Sequence, residues 1–355
     1  MLAQIEEHFS GDLYYKNTAA HNAVIMSYAT DASVYQERPQ AVVLPKTVED
    51  VKALVQYAAT AGVTLIPRAA GTSLAGQVVG SGIVVDISRY FTAILEVSEE
   101  GWVRVQPGMI RDDLNAYLKP MEWMFGPETS TASRAMIGGM IGNNSCGLHS
   151  IVWGDTRDNL LEVTVLLADG SEAVFGEIDK ETFNQKCAAK TLEGSIYRSL
   201  AELLQQPQNR SAIESGFPKR SVHRRNTGYA LDVLLDQFSE DEKGTINLAK
   251  LVAGSEGTLC FITEAKLRLR RLPPKEKCIV ALHTTTIEEA LRANIIALQH
   301  HCAASELVDD IILEYTKTNI DQRKNRFFVE GEPKAILMVE FFDENLDALT
   351  AKANA

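Results

Sequence analysis

Three stretches of this sequence combine small residues, hydroxyls and amides in a way that suits a ligand rich in anionic oxygen: 69–77 (AAGTSLAGQ), 126–147 (GPETSTASRAMIGGMIGNNSCG) and 254–258 (GSEGT). The chemistry available at such stretches is that of the backbone. Small side chains leave N–H groups open to a phosphate, and successive N–H groups in turn conformations form an anion-binding concavity. One such stretch serves equally well as a flexible connection between strands. Three, each beside an apolar strand, favour an extended diphosphate ligand wrapped by main chain. Two common nucleotide patterns are missing. No GxxxxGK followed by Ser or Thr occurs, and Gly71 and Gly76 have the wrong spacing for a dinucleotide fingerprint.

Other reactive residue types are sparse. Five cysteines (Cys146, Cys187, Cys260, Cys278 and Cys302) lie far apart with no CxxC pair, so no zinc knuckle or iron–sulfur centre is read within these residues, and no metal ligands are assigned. Cys146 has no activating base beside it and reads as a packed small residue. His300 and His301 are adjacent rather than spaced to converge on a metal, and read as a helix end.

The elements that must position the three stretches follow from pattern. Residues 2–9 read as a short helix, 10–31 are weakly patterned, and 28–38 read as loop. A strand at 41–44 precedes a helix capped by Thr47, with Glu49 and Asp50 in its first turn, apolar residues at helical spacing and Gly62 as its stop. A strand at 63–66 delivers the chain to the first small-residue loop, and 83–87 returns it. Strands follow at 93–97 and 102–105, then a Pro107-Gly108 turn and a helix at 109–118. A strand at 160–167 turns at Asp169-Gly170 into 171–175. The clearest later helix is 195–206, ended by Pro207. After the polar linker 239–244, residues 259–269 are strand-rich, and Pro273-Pro274 marks a boundary. Beyond it come a strand at 278–283, a helix at 286–300, a strand within 304–314, another at 335–342 and a helix from 347 to 355 that has no terminating pattern.

Composition limits the partners. The 355 residues carry a net charge of −12, which argues against a nucleic-acid protein. No stretch approaches the length of an apolar membrane span, and the N-terminus lacks a signal core. The five scattered cysteines fit most simply a reducing, cytoplasmic setting.

RAAGTSLAGQ at 68–77 resembles the first FAD diphosphate loop of flavoproteins of the p-cresol methylhydroxylase/vanillyl-alcohol oxidase type, and AVVLPKTVEDV before it resembles the approach to that loop. The 126–147 stretch resembles the second cofactor segment of that family and GSEGTLCFITEAKLRL at 254–269 the third, so the likeness covers about residues 25–275. It implies an α+β protein: a two-subdomain FAD-binding domain at 1–275, divided near 96, followed by the start of an α+β substrate cap at 276–355. Noncovalent FAD would then be held by Arg68, Ala70, Gly71, Thr72, Ser73, Leu74, Gly76 and Gln77. In the second segment Pro127, Glu128 and Thr129 would lie near the flavin, and Gly138, Gly139, Asn143 and Asn144 near the diphosphate and adenosine, with Ser133 and Gly147 also at the cofactor. Glu256, Gly257 and Ile262 would complete the site. Because this branch binds FAD without a covalent bond, His149 is not assigned as an attachment point.

HRRNTGYAL at 223–231 resembles the R-K-N-x-x-G-Y segment of the D-2-hydroxyacid dehydrogenase branch, with one residue fewer between Asn226 and Gly228. That branch includes D-lactate dehydrogenase, the glycolate oxidase flavin subunit and D-2-hydroxyglutarate dehydrogenase. The resemblance places Arg225, Asn226 and Tyr229 on the substrate side; a surface basic turn with a core tyrosine is the other reading. It implies oxidation of a small D-2-hydroxy acid, with electrons passed to a quinone, a cytochrome, an electron-transfer protein or a fused iron–sulfur domain, the protein being cytoplasmic or peripheral to a membrane through that acceptor. The branch's catalytic base, its divalent metal and, in long members, an iron–sulfur module have no counterpart here. The chain is therefore expected to be the front of a longer protein. An alcohol or sugar-alcohol oxidase or an alkyl-transferring enzyme on the same fold is the alternative, and a nonenzymatic nucleotide-binding module a further one.

Overall fold

In the computed structural model, residues 2–226, 228–239 and 244–354 are described. Thr227 in the 223–231 segment, residues 240–243 of the polar linker and Ala355 of the final helix lie outside the described residues. The chain divides into one unit made of Met1–Cys146 with Asp155–Arg270, and a second made of Gly147–Gly154 with Arg271–Ala355.

The first unit contains two sheets. In the smaller one, Ile83–Asp86 lies between Ala41–Leu44 and Leu65–Arg68, parallel to both, and Asp12–Tyr14 pairs antiparallel with the outer side of Ala41–Leu44. All four residues of Ala41–Leu44 and of Ile83–Asp86 are buried, as expected of apolar runs covered on both faces. The helix Val48–Ala61 begins in a capping box, Thr47 Oγ1 accepting from the Asp50 N–H, and ends at Gly62 with φ of 64°. Asp50 also accepts from Ser10 N–H and Oγ at 2.8 and 2.7 Å, tying the N-terminal segment to the helix start. The strand entering the loop runs to Arg68, two residues beyond the pattern, because its pairing continues through Arg68 opposite Asp86. The weakly patterned 10–31 stretch holds a strand, Asp12–Tyr14, and a helix, Ala19–Ser27.

The larger sheet is antiparallel in the order Ile94–Ser98, Trp102–Val105, Phe261–Arg268, Leu160–Leu166, Glu172–Phe175. Its central strand is thus the last of the five in sequence. Val103, Val105, Leu160, Val163, Ala265 and Leu267 face one core, shared with Ile137, Met140 and Ile141 of a short helix, Ile137–Asn143. Leu166 and Phe261 pack instead with Val51, Leu54, Val85 and Phe91, joining the two sheets into one unit. Pro207 does end the helix Leu192–Gln205, but it also opens another, Pro207–Gly216, since the first helical position needs no N–H donor.

The second unit is a three-stranded antiparallel sheet with Ala335–Asp343 between Glu276–Thr284 and Ala304–Asp309. Helices Ile287–Gln299 and Leu346–Asn354 cover one face through Ala290, Ala297 and Leu349. The 304–314 stretch divides into that strand and a helix, Asp310–Thr318. His300 ends its helix, followed by His301 at φ of 55°. Among the described residues no helix is long and apolar enough to cross a membrane, and no group of histidine, cysteine, aspartate or glutamate is placed to hold a metal ion.

Candidate FAD site

The three small-residue stretches meet. A cleft of about 100 Å³ is walled by Arg68, Ser73 and Gln77 from the first, Gly138, Gly139, Gly142 and Asn143 from the second, and Ser255, Glu256 and Gly257 from the third. A neighbouring cleft of about 300 Å³ shares Ala69, Ser73, Gln77, Val78, Gly139 and Asn143 with it, and continues past Gly71, Thr72, Leu74, Thr129 and Cys146. Short direct bonds hold the walls together. Gly254 and Glu256 N–H donate to the Ile141 and Gly142 carbonyls at 2.9 and 3.0 Å, anchoring the third stretch on the end of the helix Ile137–Asn143. Gln77 Nε2 donates to Glu256 Oε1 at 3.4 Å, linking first and third.

That helix is built to come close. A Cβ at Gly138 would lie 2.7 Å from the Pro107 Cβ, so only glycine lets the helix start sit on the Pro107 turn, where Gly138 N–H donates to the Pro107 carbonyl at 2.7 Å. Gly139 and Gly142 turn bare backbone into the cleft. Glu256 is held at φ of 51°, an unusual conformation for a residue with a side chain, at the rim of the same cleft. A cleft floored by glycine backbone and edged by hydroxyls and amides fits a dinucleotide diphosphate, which needs close approach and N–H donors rather than fixed cations.

The residues singled out from sequence fall into groups. Arg68, Ala70, Gly71, Thr72, Ser73, Leu74, Gln77, Thr129, Gly138, Gly139, Asn143, Glu256, Gly257 and Ile262 line one cleft or both. Gly76, Pro127, Glu128, Ser133 and Asn144 line neither. Gly76 lies under the Tyr35 ring, Pro127 gives its carbonyl to Arg111 Nε, and Ser133 is an exposed turn residue. Asn144 is 1% exposed, and its amide is spent on Asp155, Asn226 and the Arg157 N–H. Gly147 belongs to the second unit, as does His149, whose Nε2 lies 3.2 Å from Glu340 Oε2 and whose ring stacks on Phe342. Pro107, Gly142, Val78, Ser255 and Cys260 line the cleft without having been singled out. The Gly138/Gly142 spacing of four was the available signal, since it puts bare backbone on one helix face.

Arg225, Asn226, Gly228 and Tyr229 are brought to the second and third stretches by a polar network that is buried at Asn144 and Arg157 and opens to solvent at Asn226 and Tyr229. Asn226 accepts from Asn144 Nδ2 at 2.9 Å, and its own amide points to Cys146 Sγ at 3.4 Å, at the edge of the larger cleft. Tyr229 OH is 2.6 Å from Thr258 Oγ1 in the third stretch. Arg225 turns away, its Nε donating to Asp232 at 3.0 Å. At the centre is Arg157, buried, with its guanidinium reaching the carbonyls of Arg225, Gly228, Lys250 and Ala253. Burial lowers the Arg157 pKa; burial, then the Asp158 carboxylate, raises that of Asp155.

Lys250 Nζ donates to the Arg157 and Leu160 carbonyls at 2.6 and 2.8 Å, and burial pulls its pKa down to about 8. Between that value and the ordinary 10.5 the unfolded chain holds more protons on Lys250 than the folded chain does. Its contribution to stability therefore rises with pH across this window and is least favourable below it. Urea unfolding at pH 7 and pH 10 should show wild type gaining stability relative to Lys250→Met as pH rises. A difference that stays level across the window would refute the assignment.

Comparison with known proteins points to FAD as the cofactor. Residues 39–176 match a family model described as an FAD binding domain. The D-2-hydroxyglutarate dehydrogenase of Pseudomonas putida is 37% identical over 335 residues, an alignment covering 92% of this chain and 32% of that protein. Glycolate oxidase subunit GlcD of Bacillus subtilis is 25% identical over 343 residues, covering 94% of this chain and 60% of that protein. Among solved structures, an alkyldihydroxyacetonephosphate synthase superposes with a TM-score of 0.66 at 14% identity, covering 99% of this chain and 57% of that one, which is a likeness of fold. The chain spans about a third of the length of the D-2-hydroxyglutarate dehydrogenase it matches.

Proposed function

Because this chain carries an FAD-binding domain of the p-cresol methylhydroxylase/vanillyl-alcohol oxidase type and is homologous to D-2-hydroxyglutarate dehydrogenase, we propose that it is the flavin-binding part of an oxidoreductase that converts a small D-2-hydroxy acid to the 2-oxo acid. One observation carries the reading: three stretches far apart in sequence converge on joined clefts floored by bare backbone. When bound, FAD supplies at its N5 the acceptor for the hydride leaving the substrate's α-carbon, while the hydroxyl proton passes to a base.

The residues of this chain bind and orient. The 71–76 loop offers backbone and hydroxyl groups to the diphosphate, the helix Ile137–Asn143 gives its glycine face for close approach, and Gln77 and Glu256 close the cleft between the first and third stretches. Asn226 and Tyr229, at the margin of the cleft walls, are our substrate-side residues, with Arg225 holding their segment through Asp232. Residues 276–355 are read as the start of the substrate cap. The relatives' greater length supports placing the base, a divalent metal and an iron–sulfur module in sequence outside these residues. Electrons would leave to a quinone, a cytochrome, an electron-transfer protein or that iron–sulfur module, in the cytoplasm or at a membrane surface reached through the acceptor.

The test is anaerobic mixing of the full-length FAD-loaded protein with D-2-hydroxyglutarate, D-lactate or glycolate. Bleaching of the oxidised flavin absorbance is expected with at least one. Bleaching by a sugar alcohol and by none of the hydroxy acids would favour the oxidase alternative, and no flavin uptake at all would favour neither.

A further inference from the structure

The geometry points to Arg68 as a positioning residue that shapes the FAD diphosphate loop from behind through the segment 28–32, rather than as a charge offered to the diphosphate. This rests on the FAD reading above. Arg68 lines the cleft, yet the Nη1 end of its guanidinium is turned to the segment 28–32 behind the loop. Nη1 donates to the Thr30 carbonyl at 2.9 Å and reaches the Tyr28 carbonyl at 3.5 Å, and Cζ lies 5.1 Å from the centre of the Tyr28 ring. Tyr28 is fixed in turn by Asp86, which accepts from its OH at 2.5 Å and from Ser88 N–H at 2.6 Å. Asp86 stands opposite Arg68 in the strand pairing, so strand register sets the whole arrangement.

The loop rests on this assembly. At Gly71, φ is 64° and a Cβ would lie 2.5 Å from Arg68 Nη2: the main chain packs directly against the guanidinium. The Gly71 carbonyl accepts from Ala32 N–H at 3.2 Å, closing the loop onto the same segment. Residues 28–32 precede the 39–176 region that matches the FAD binding domain, so this support comes from outside the matched region. A planar fork with donors in fixed directions can hold a carbonyl and a ring at once, while a lysine ammonium offers one point charge.

That difference supplies the test, on the full-length protein, with FAD affinity read from quenching of flavin fluorescence and the fold from circular dichroism and apo-protein melting. If Arg68 positions the loop, Arg68→Lys loses nearly as much affinity as Arg68→Ala, about 10- to 100-fold for either. Tyr28→Phe, which keeps the ring and drops the bond to Asp86, loses a smaller part. Gly71→Ala should weaken binding less in the Arg68→Ala background than in wild type, because the atoms it strikes are gone. If Arg68→Lys keeps wild-type affinity, or the loss in Arg68→Ala vanishes at high salt, the residue acts as a charge and the inference fails. A folded wild-type chain that binds no FAD overturns the FAD reading, and this inference with it.

Discussion

Gly139→Leu is expected to raise the dissociation constant for FAD by about 100-fold or more while leaving the fold intact. Gly139 lies in the helix Ile137–Asn143 with no positive φ, and a Cβ there would meet only the Ala69 Cβ, at 3.4 Å. The backbone therefore accepts a side chain, and a helical position gains propensity when glycine is replaced. Since Gly139 lines both clefts, the rest of the leucine occupies the space where they join. Gly138 is the wrong position for this experiment, because its Cβ would strike Pro107 and disturb the helix itself. Titration of apo-protein with FAD, beside a melting curve, separates blocked cleft from damaged fold. A variant that melts like wild type and binds FAD as tightly would show that the clefts are not the cofactor site.

Arg157→Leu should cost about 3–5 kcal/mol of stability. The leucine removes a charge that burial disfavours, but it leaves the carbonyls of Lys250 and Ala253, bound at 3.1 and 2.7 Å, without their donor, and releases the longer contacts to Arg225 and Gly228. The loss of partners outweighs the relief of desolvation because several acceptors depend on one donor group. Arg157→Lys should recover only a minor part, as an ammonium cannot span carbonyls in the directions the guanidinium does. Urea denaturation followed by circular dichroism gives the number; a loss below about 1 kcal/mol, the scale of a single ordinary hydrogen bond, would show that water replaces the guanidinium without penalty.

The approach to the cofactor loop was legible because its signals are local. Thr47, Asp50 and Gly62 mark both ends of their helix, and the strands at 41–44 and 102–105 occupy the residues their apolar runs indicate. The helix Ile137–Asn143 was not legible. Gly138, Gly139 and Gly142 are three of its seven residues, and propensity alone argues against a helix there. Burial of Ile137, Met140 and Ile141, with the bond from Gly138 N–H to Pro107, overrides that preference. In the site, residue type identified the stretches that converge but not which way each side chain turns. Asn144 resembles its neighbour Asn143, yet a left-handed backbone at φ of 52° directs it into the Asp155 and Asn226 network while Asn143 stays in the cleft. Arg157 carried one local clue, the Asp155/Asp158 spacing that forms a capping box around it. Its carbonyl partners, up to 96 residues away, left none.

The place of Phe261–Arg268 at the middle of the five-stranded sheet also bears on how the chain reaches its native state. During synthesis, the hairpin Ile94–Ser98/Trp102–Val105 and the hairpin Leu160–Leu166/Glu172–Phe175 emerge first, and the inner edges, Trp102–Val105 and Leu160–Leu166, stay unpaired until Phe261–Arg268 has left the ribosome. Pairings of such sequence separation close slowly, and open edges left waiting are templates for wrong partners. Gly254 and Glu256, just ahead of that strand, bond to the helix Ile137–Asn143, so the third wall of the candidate cleft arrives with the strand that completes the sheet. FAD can then act as a folding ligand, trapping the closed sheet by mass action as soon as its last strand is in place.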